Sequence, residues 1–210
     1  MTFAPLRLVS LALALGAALS LGACNKPASG SGAVAGTGLS DDGYAIGNAG
    51  AKVTVLEFGS LTCPHCAHWE DEVWPQFKAK YVDTGKVHYV FKEVLIHPQE
   101  DAAAALLARC VPADKYFATV QAVFRSQPQI FAGDTRGALL HVAQSEGMSE
   151  QQFTTCLSDT KALQAVGARQ TKIDEVYHVA QTPTFIVNGK TVEGVEMKDL
   201  SAAIDPLLAK

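Results

Sequence analysis

Thr62-Cys63-Pro64-His65-Cys66-Ala67-His68 decides how this chain of 210 residues is read. Two cysteines with two residues between them can close a small disulfide ring or share a metal ion, and the flanking sequence separates the two. Upstream, Val53-Thr54-Val55-Leu56-Glu57-Phe58 is a β-branched, apolar run of strand length. Gly59-Ser60 breaks it. Downstream, Cys66, Trp69, Val73, Phe77 and Tyr81 recur at spacings of three and four, an apolar stripe on one helix face. Pro64 suits the first helical position, where its missing N–H costs no bond. Cys63 therefore falls at or beside the N-cap, just past a buried strand. The free N–H groups and the positive dipole end of the helix face its sulfur. They favour thiolate, the form that attacks disulfides.

Strand, Cys-x-x-Cys and helix in this order resemble the redox site of the thioredoxin fold. With Pro64-His65 between the cysteines, the stretch is similar to bacterial DsbA-like thiol–disulfide oxidoreductases. A second signature, Gln181-Thr182-Pro183-Thr184-Phe185-Ile186-Val187-Asn188-Gly189, resembles the loop that carries this family's cis-proline, followed by a strand and a turn. The resemblance covers roughly residues 44–210. It implies an α/β thioredoxin fold, a central mixed sheet flanked by helices, with an inserted all-helical subdomain. Residues 43–97 and 180–210 would form the two parts of the thioredoxin-like domain, and residues 98–179 the insertion.

The resemblance also assigns roles. Cys63 would be the nucleophile and Cys66 the resolving cysteine, with the His65 imidazole stabilising thiolate at Cys63. A thiolate pKa near 4, a property of DsbA as a class, would stabilise the reduced pair by about three pH units, roughly 4 kcal/mol. For a two-electron couple that raises the potential by roughly 90 mV. Glu57 is the odd residue in its strand. Beneath the cysteines it would be a desolvated carboxyl with a raised pKa, suited to proton transfer at Cys66; on an exposed face it would be merely tolerated. Lys92 is a weak candidate for its partner. A cis Thr182–Pro183 bond would set the Thr182 backbone beside Cys63, where an extended substrate can pair, and would keep metal ions from the thiols. His68, His88, His97, His141 and His178 show no mutual ligand spacing. No metal and no cofactor is expected.

The first residues read as a targeting segment. Arg7 precedes an apolar run over residues 8–21, short for a membrane span and long enough for a signal core. Leu21-Gly22-Ala23-Cys24 resembles the bacterial lipoprotein cleavage box, which makes residues 1–23 a signal peptide and Cys24 the lipidated first mature residue. Lipidation also accounts for the odd member of five cysteines. Residues 24–42, rich in Gly and Ser, read as a flexible tether of roughly 25 Å root-mean-square span. Removing Arg7 with the leader takes Lys+Arg from 17 to 16 against 21 acids, a net charge of −5, which provides no footprint for nucleic acid.

Tyr44-Ala45-Ile46-Gly47 reads as a short edge strand and residues 87–94 as another core strand, with Pro75 kinking the helix between the cysteines and that strand. Residues 98–179 show helical patterning, including a capping box at Ser149-Glu150-Gln151-Gln152. Cys110 and Cys156 both lie there, and in an oxidising compartment a structural disulfide between them is expected, two buried thiols being the alternative. A strand over residues 184–187, a turn at Asn188-Gly189-Lys190, a strand over 191–193 and a helix over about 198–208 close the chain.

The function that follows is an exported, lipid-tethered oxidase, active as a monomer. It would pass the Cys63–Cys66 disulfide to reduced exported proteins and be reoxidised by a membrane partner resembling DsbB. An isomerase or reductase of the same fold is the nearest rival, kept alive by Thr182. A copper or zinc carrier using Cys63, Cys66 and His68 lacks a second ligand pair.

Overall fold

The computed structural model describes residues 38–40 and 43–209. The leader, Cys24 and most of the expected tether lie outside them. Among the described residues no helix is long and apolar enough to cross a membrane.

The framework is a six-stranded sheet in the order β1-β2-β4-β3-β5-β6. Its strands are β1 (Gly38–Ser40), β2 (Gly43–Gly47), β3 (Val53–Gly59), β4 (Val87–Glu93), β5 (Thr184–Val187) and β6 (Lys190–Thr191). β3 and β4 are parallel; every other neighbouring pair is antiparallel. β3 is thus a central strand with both faces covered, which is why its sequence reads as a nearly continuous apolar run. Val53 and Val55 join the main core with the helix stripe Cys66, Trp69, Val73, Phe77 and Tyr81. Phe58 faces the other way, into a smaller cluster with Val94 and Ile173 flanked by Leu56 and Tyr177.

Helix α1 (Pro64–Glu72) starts with Pro64 in its first turn and stops short of Pro75. Pro75 cannot donate to the carbonyl one turn back, and the chain restarts as α2 (Trp74–Phe77) followed by a π-turn at Lys78–Val82. Six helices then run between β4 and β5: α3 (Pro98–Cys110), α4 (Tyr116–Arg125), α5 (Gln127–Phe131), α6 (Thr135–Ser145), α7 (Glu150–Leu157) and α8 (Thr160–Tyr177). Ser149 and Gln152 close the capping box ahead of α7. Cys110 and Cys156 are joined, S–S 1.99 Å, tying the end of α3 to α7. Ile173 and Tyr177 of α8 cover the back face of β3. The insertion is also keyed to the sheet: Arg109 Nε and Nη2 grip both oxygens of Glu93 at 2.9 and 2.7 Å, and the Tyr116 hydroxyl donates to Glu93 at 2.8 Å. Helix α9 (Met197–Leu208) closes the fold, with Pro206 in its last turn.

Two expectations are corrected here. Tyr44 to Gly47 is not an edge strand, because Gly38–Ser40, placed by sequence at the end of the tether, pairs outside it. A Gly-Leu-Ser tripeptide carries no strand signal of its own; the exposed backbone of β2 supplies the pairing. The last hairpin is also tighter than the spacing suggested. Asn188 and Gly189 both take positive φ (43° and 81°), so Lys190 pairs with Val187 and the turn has two residues. With both central residues at positive φ, the turn's twist matches that of the flanking strands, where a type I or II turn would splay them. Asn188 adds to it by accepting from Thr54 N–H at 2.7 Å and donating to the Lys52 carbonyl at 3.1 Å.

Candidate active site

β3 delivers the chain to Gly59, and the loop 60–62 turns it into α1. A side chain at Gly59 would put its Cβ 2.6 Å from the Phe91 ring, so a larger residue here would have to displace that ring. Cys63 is the N-cap of α1, with φ −81° and ψ 120°. The helix therefore presents its first N–H groups to the sulfur. Opposite lies the cis Thr182–Pro183 bond. In its thiol form Cys63 donates to the Thr182 carbonyl at 3.4 Å, and the buried Thr182 hydroxyl has no hydrogen-bond partner among the described residues.

The two sulfurs differ sharply. Cys63 is 5 % exposed and Cys66 is fully buried. Cys63 is pulled from the ordinary thiol value of 9.0 down to about 5, above all by a hydrogen bond from the Cys66 thiol. Burial opposes this, and Thr182 and the backbone N–H groups of Cys66 and His65 add to it. Cys66 is pushed well up, first by burial, then by Cys63 and by the Glu57 carboxylate. At neutral pH the pair is one thiolate and one thiol.

His65 has its ring exposed. Its backbone N–H is among the groups that lower the Cys63 value. Pro64 is exposed beside it. Glu57 is 1 % exposed. Burial holds its carboxyl well above the usual range, against the lowering effect of a hydrogen bond from the Tyr89 hydroxyl. Lys92 is not placed to be its partner. It pairs in register with Phe58 and Glu57 with Phe91, so the two side chains leave opposite faces of the sheet; the Lys92 ammonium sits over the Tyr177 ring at 5.5 Å. His68 is exposed. Among the described residues no group of three or more His, Cys, Asp or Glu converges as a metal site.

Sequence reasoning missed four contributors. Tyr89 lies on the same face as Val55 and Glu57 by strand alternation, a signal that was available once β3 and β4 were paired. Glu70, one turn after Cys66 on α1, is raised to about 7 by burial, opposed by its hydrogen bond from Gln121, and in turn pushes Glu57 up. Asp101 and Gln127 reach the loop 60–63 from α3 and α5. Nothing local to their sequences marks either as a neighbour of the cysteines.

A sheet of this order with a dithiol at the start of the helix after its central strand, and a helical insertion between β4 and β5, defines a thioredoxin-fold redox class. A thioredoxin family model matches residues 39–206. The chain belongs to the thioredoxin family. A Rickettsia bellii protein provisionally named a protein-disulfide oxidoreductase is 32% identical over 169 residues. That match takes in 80% of this chain and 65% of the relative, so the chain spans about two thirds of that protein's length. The crystal structure of Wolbachia pipientis alpha-DsbA1 superposes with a TM-score of 0.74 at 26% identity, covering 82% of this chain and 94% of that one. A protein-disulfide isomerase from Novosphingobium aromaticivorans gives 0.71 at 27% identity, over 82% and 100%.

Proposed function

We propose that the chain is a DsbA-like thiol–disulfide oxidoreductase that donates the Cys63–Cys66 disulfide to substrate proteins. The observation that carries this is the split between the two sulfurs, with Cys63 ionising at about 5. A sulfur that is a stable thiolate is a good leaving group, so a disulfide made with it is readily given away.

A substrate thiolate attacks Cys63 Sγ. The Cys63–Cys66 bond breaks, and Cys66 leaves with the electron pair and takes a proton, for which the buried Glu57 carboxyl is the nearby donor. The substrate is now joined to Cys63 as a mixed disulfide. A second substrate thiolate attacks the substrate's own sulfur, closes its disulfide and releases Cys63 as thiolate. The substrate loses two electrons and the cysteine pair gains them. The Thr182 backbone, 3.4 Å from Cys63 Sγ, supplies the edge against which an extended substrate segment would lie. Reoxidation by a DsbB-like membrane partner, export, and anchoring through lipid at Cys24 complete the reading. Cys24 lies outside the described residues and rests on its sequence box alone.

The test is exchange with a reduced, unfolded protein. Cys63→Ser should abolish it and Cys66→Ser should accumulate a mixed disulfide on Cys63; an active Cys63→Ser variant would sink the assignment. The isomerase reading is favoured by one observation, the isomerase relative at 27% identity. A monomer by sedimentation that does not recover activity from scrambled disulfides favours the oxidase, and an oligomer that does recover it favours the isomerase.

A further inference from the structure

The polar groups that hold the redox loop come largely from the helical insertion. Asp101, in the first turn of α3, is 1 % exposed and gathers the loop's donors onto one carboxylate. It accepts from the Thr62 N–H and hydroxyl, each at 3.0 Å, and from the Ser60 hydroxyl at 2.9 Å. A fourth donor, the His97 N–H at 2.9 Å, ties the same carboxylate to its own helix start. Gln127, at the start of α5, is likewise buried. Its side-chain amide donates to the Leu61 and the Cys63 carbonyls, both at 3.0 Å. Residues 60–63 are therefore gripped by their N–H and hydroxyl groups at Asp101 and by their carbonyls at Gln127. The loop's own backbone adds the Cys63 N–H to Ser60 carbonyl bond at 3.1 Å.

We propose that Asp101 and Gln127 are positioning residues of the redox site, which fix residues 60–63 so that Cys63 Sγ stays between the N–H groups of α1 and the Thr182 carbonyl. The insertion thereby governs the reactivity of a cysteine pair it does not contain. The inference rests on Cys63 being the exchange nucleophile. The physical reason is that a buried donor or acceptor without a partner is costly. With Asp101 neutralised or Gln127 made apolar, the loop lowers that cost by moving, and the sulfur that caps α1 moves with it. A thiolate held by several weak donors is sensitive to such a shift, because each contact depends steeply on distance and angle.

The experiment uses the full chain with Gln127→Met and Asp101→Asn, both close to isosteric, and Leu139→Ala as a comparison. Leu139 is buried in α6, and its side chain offers the loop no hydrogen bond. Thiolate absorbance against pH reads the ionisation of Cys63, glutathione equilibration at pH 7 reads the balance of reduced and oxidised pairs, and denaturant unfolding reads stability. Each clamp variant should move the Cys63 midpoint up by about one pH unit, so that the reduced-to-oxidised ratio at fixed glutathione falls about tenfold. Leu139→Ala should lower stability and leave both redox readouts in place. Clamp variants that lose stability while keeping the wild-type midpoint and ratio would overturn the inference. Gln127→Met decides alone if Asp101→Asn does not fold. A wild-type Cys63 that ionises in the ordinary thiol range would remove the functional reading and the clamp together, whereas a low wild-type midpoint with unchanged variants removes the clamp only.

Discussion

At the scale of single residues, the chemistry of this site is a matter of which group is charged. Cys63 ionises near 5, below the ordinary thiol value of 9.0. The lowered value belongs to the folded, reduced protein. Its thiolate therefore adds stability that is full above the unfolded thiol range and is lost as pH falls toward 5. The oxidised protein has no such group, so the reduced form should gain on it as pH rises from about 5 to about 9. Alkylation by iodoacetamide checks the same group: its rate at Cys63 should reach half its plateau near pH 5. Glu57 has the opposite sign. Its carboxyl is raised by burial, so folding is undisturbed at low pH and stability falls as pH rises through the raised value. Glu57→Gln should flatten that loss in urea titrations of the oxidised protein. In the same variant, steps in which Cys66 gains or loses a proton should slow by roughly 10²-fold. These two residues also mark the limits of the sequence. Cys63 was legible because the first cysteine of a Cys-x-x-Cys, after a strand and directly before Pro64, has its surroundings fixed locally. The state of Glu57 was not, because a single charged residue in an apolar strand is compatible with either face until a neighbouring strand supplies Tyr89.

At the scale of elements, period and punctuation gave most of what is observed. The stripe from Cys66 to Tyr81 and the β-branched run into Gly59 marked a helix and a strand, and at Pro75 the helix is interrupted rather than only kinked. What escaped were features that depend on pairing across the chain. β1 is a strand only because β2 offers it an edge, and the hairpin register turns on the left-handed conformation of Asn188. The grip of Arg109 on Glu93 is of this kind too, since nothing near either residue names the other. Both are nearly buried, at 9% and 5% side-chain exposure. Arg109→Met should leave an uncompensated carboxylate and cost about 3–5 kcal/mol. In Glu93→Gln/Arg109→Met most of that loss should return, because the charge left behind by the single change is gone. Urea unfolding of the two variants measures the difference.

For the whole molecule, the insertion is fastened to itself as well as to the sheet. The Cys110–Cys156 bond closes 46 residues, and by loop-closure entropy its replacement with two alanines should cost about 4 kcal/mol. Thermal unfolding of the double variant gives the value, and glutathione equilibration of Cys63–Cys66 should remain measurable in the folded fraction. The order of the strands carries a last consequence. The described chain enters at β1, on one flank of the sheet, while Thr182 leads into β5 near the other. Four strand spacings of about 4.8 Å separate them, about 19 Å in all. An extended segment docked along Thr182 would thus lie far from the β1 edge, so the two flanks of the sheet need not compete for the same backbone.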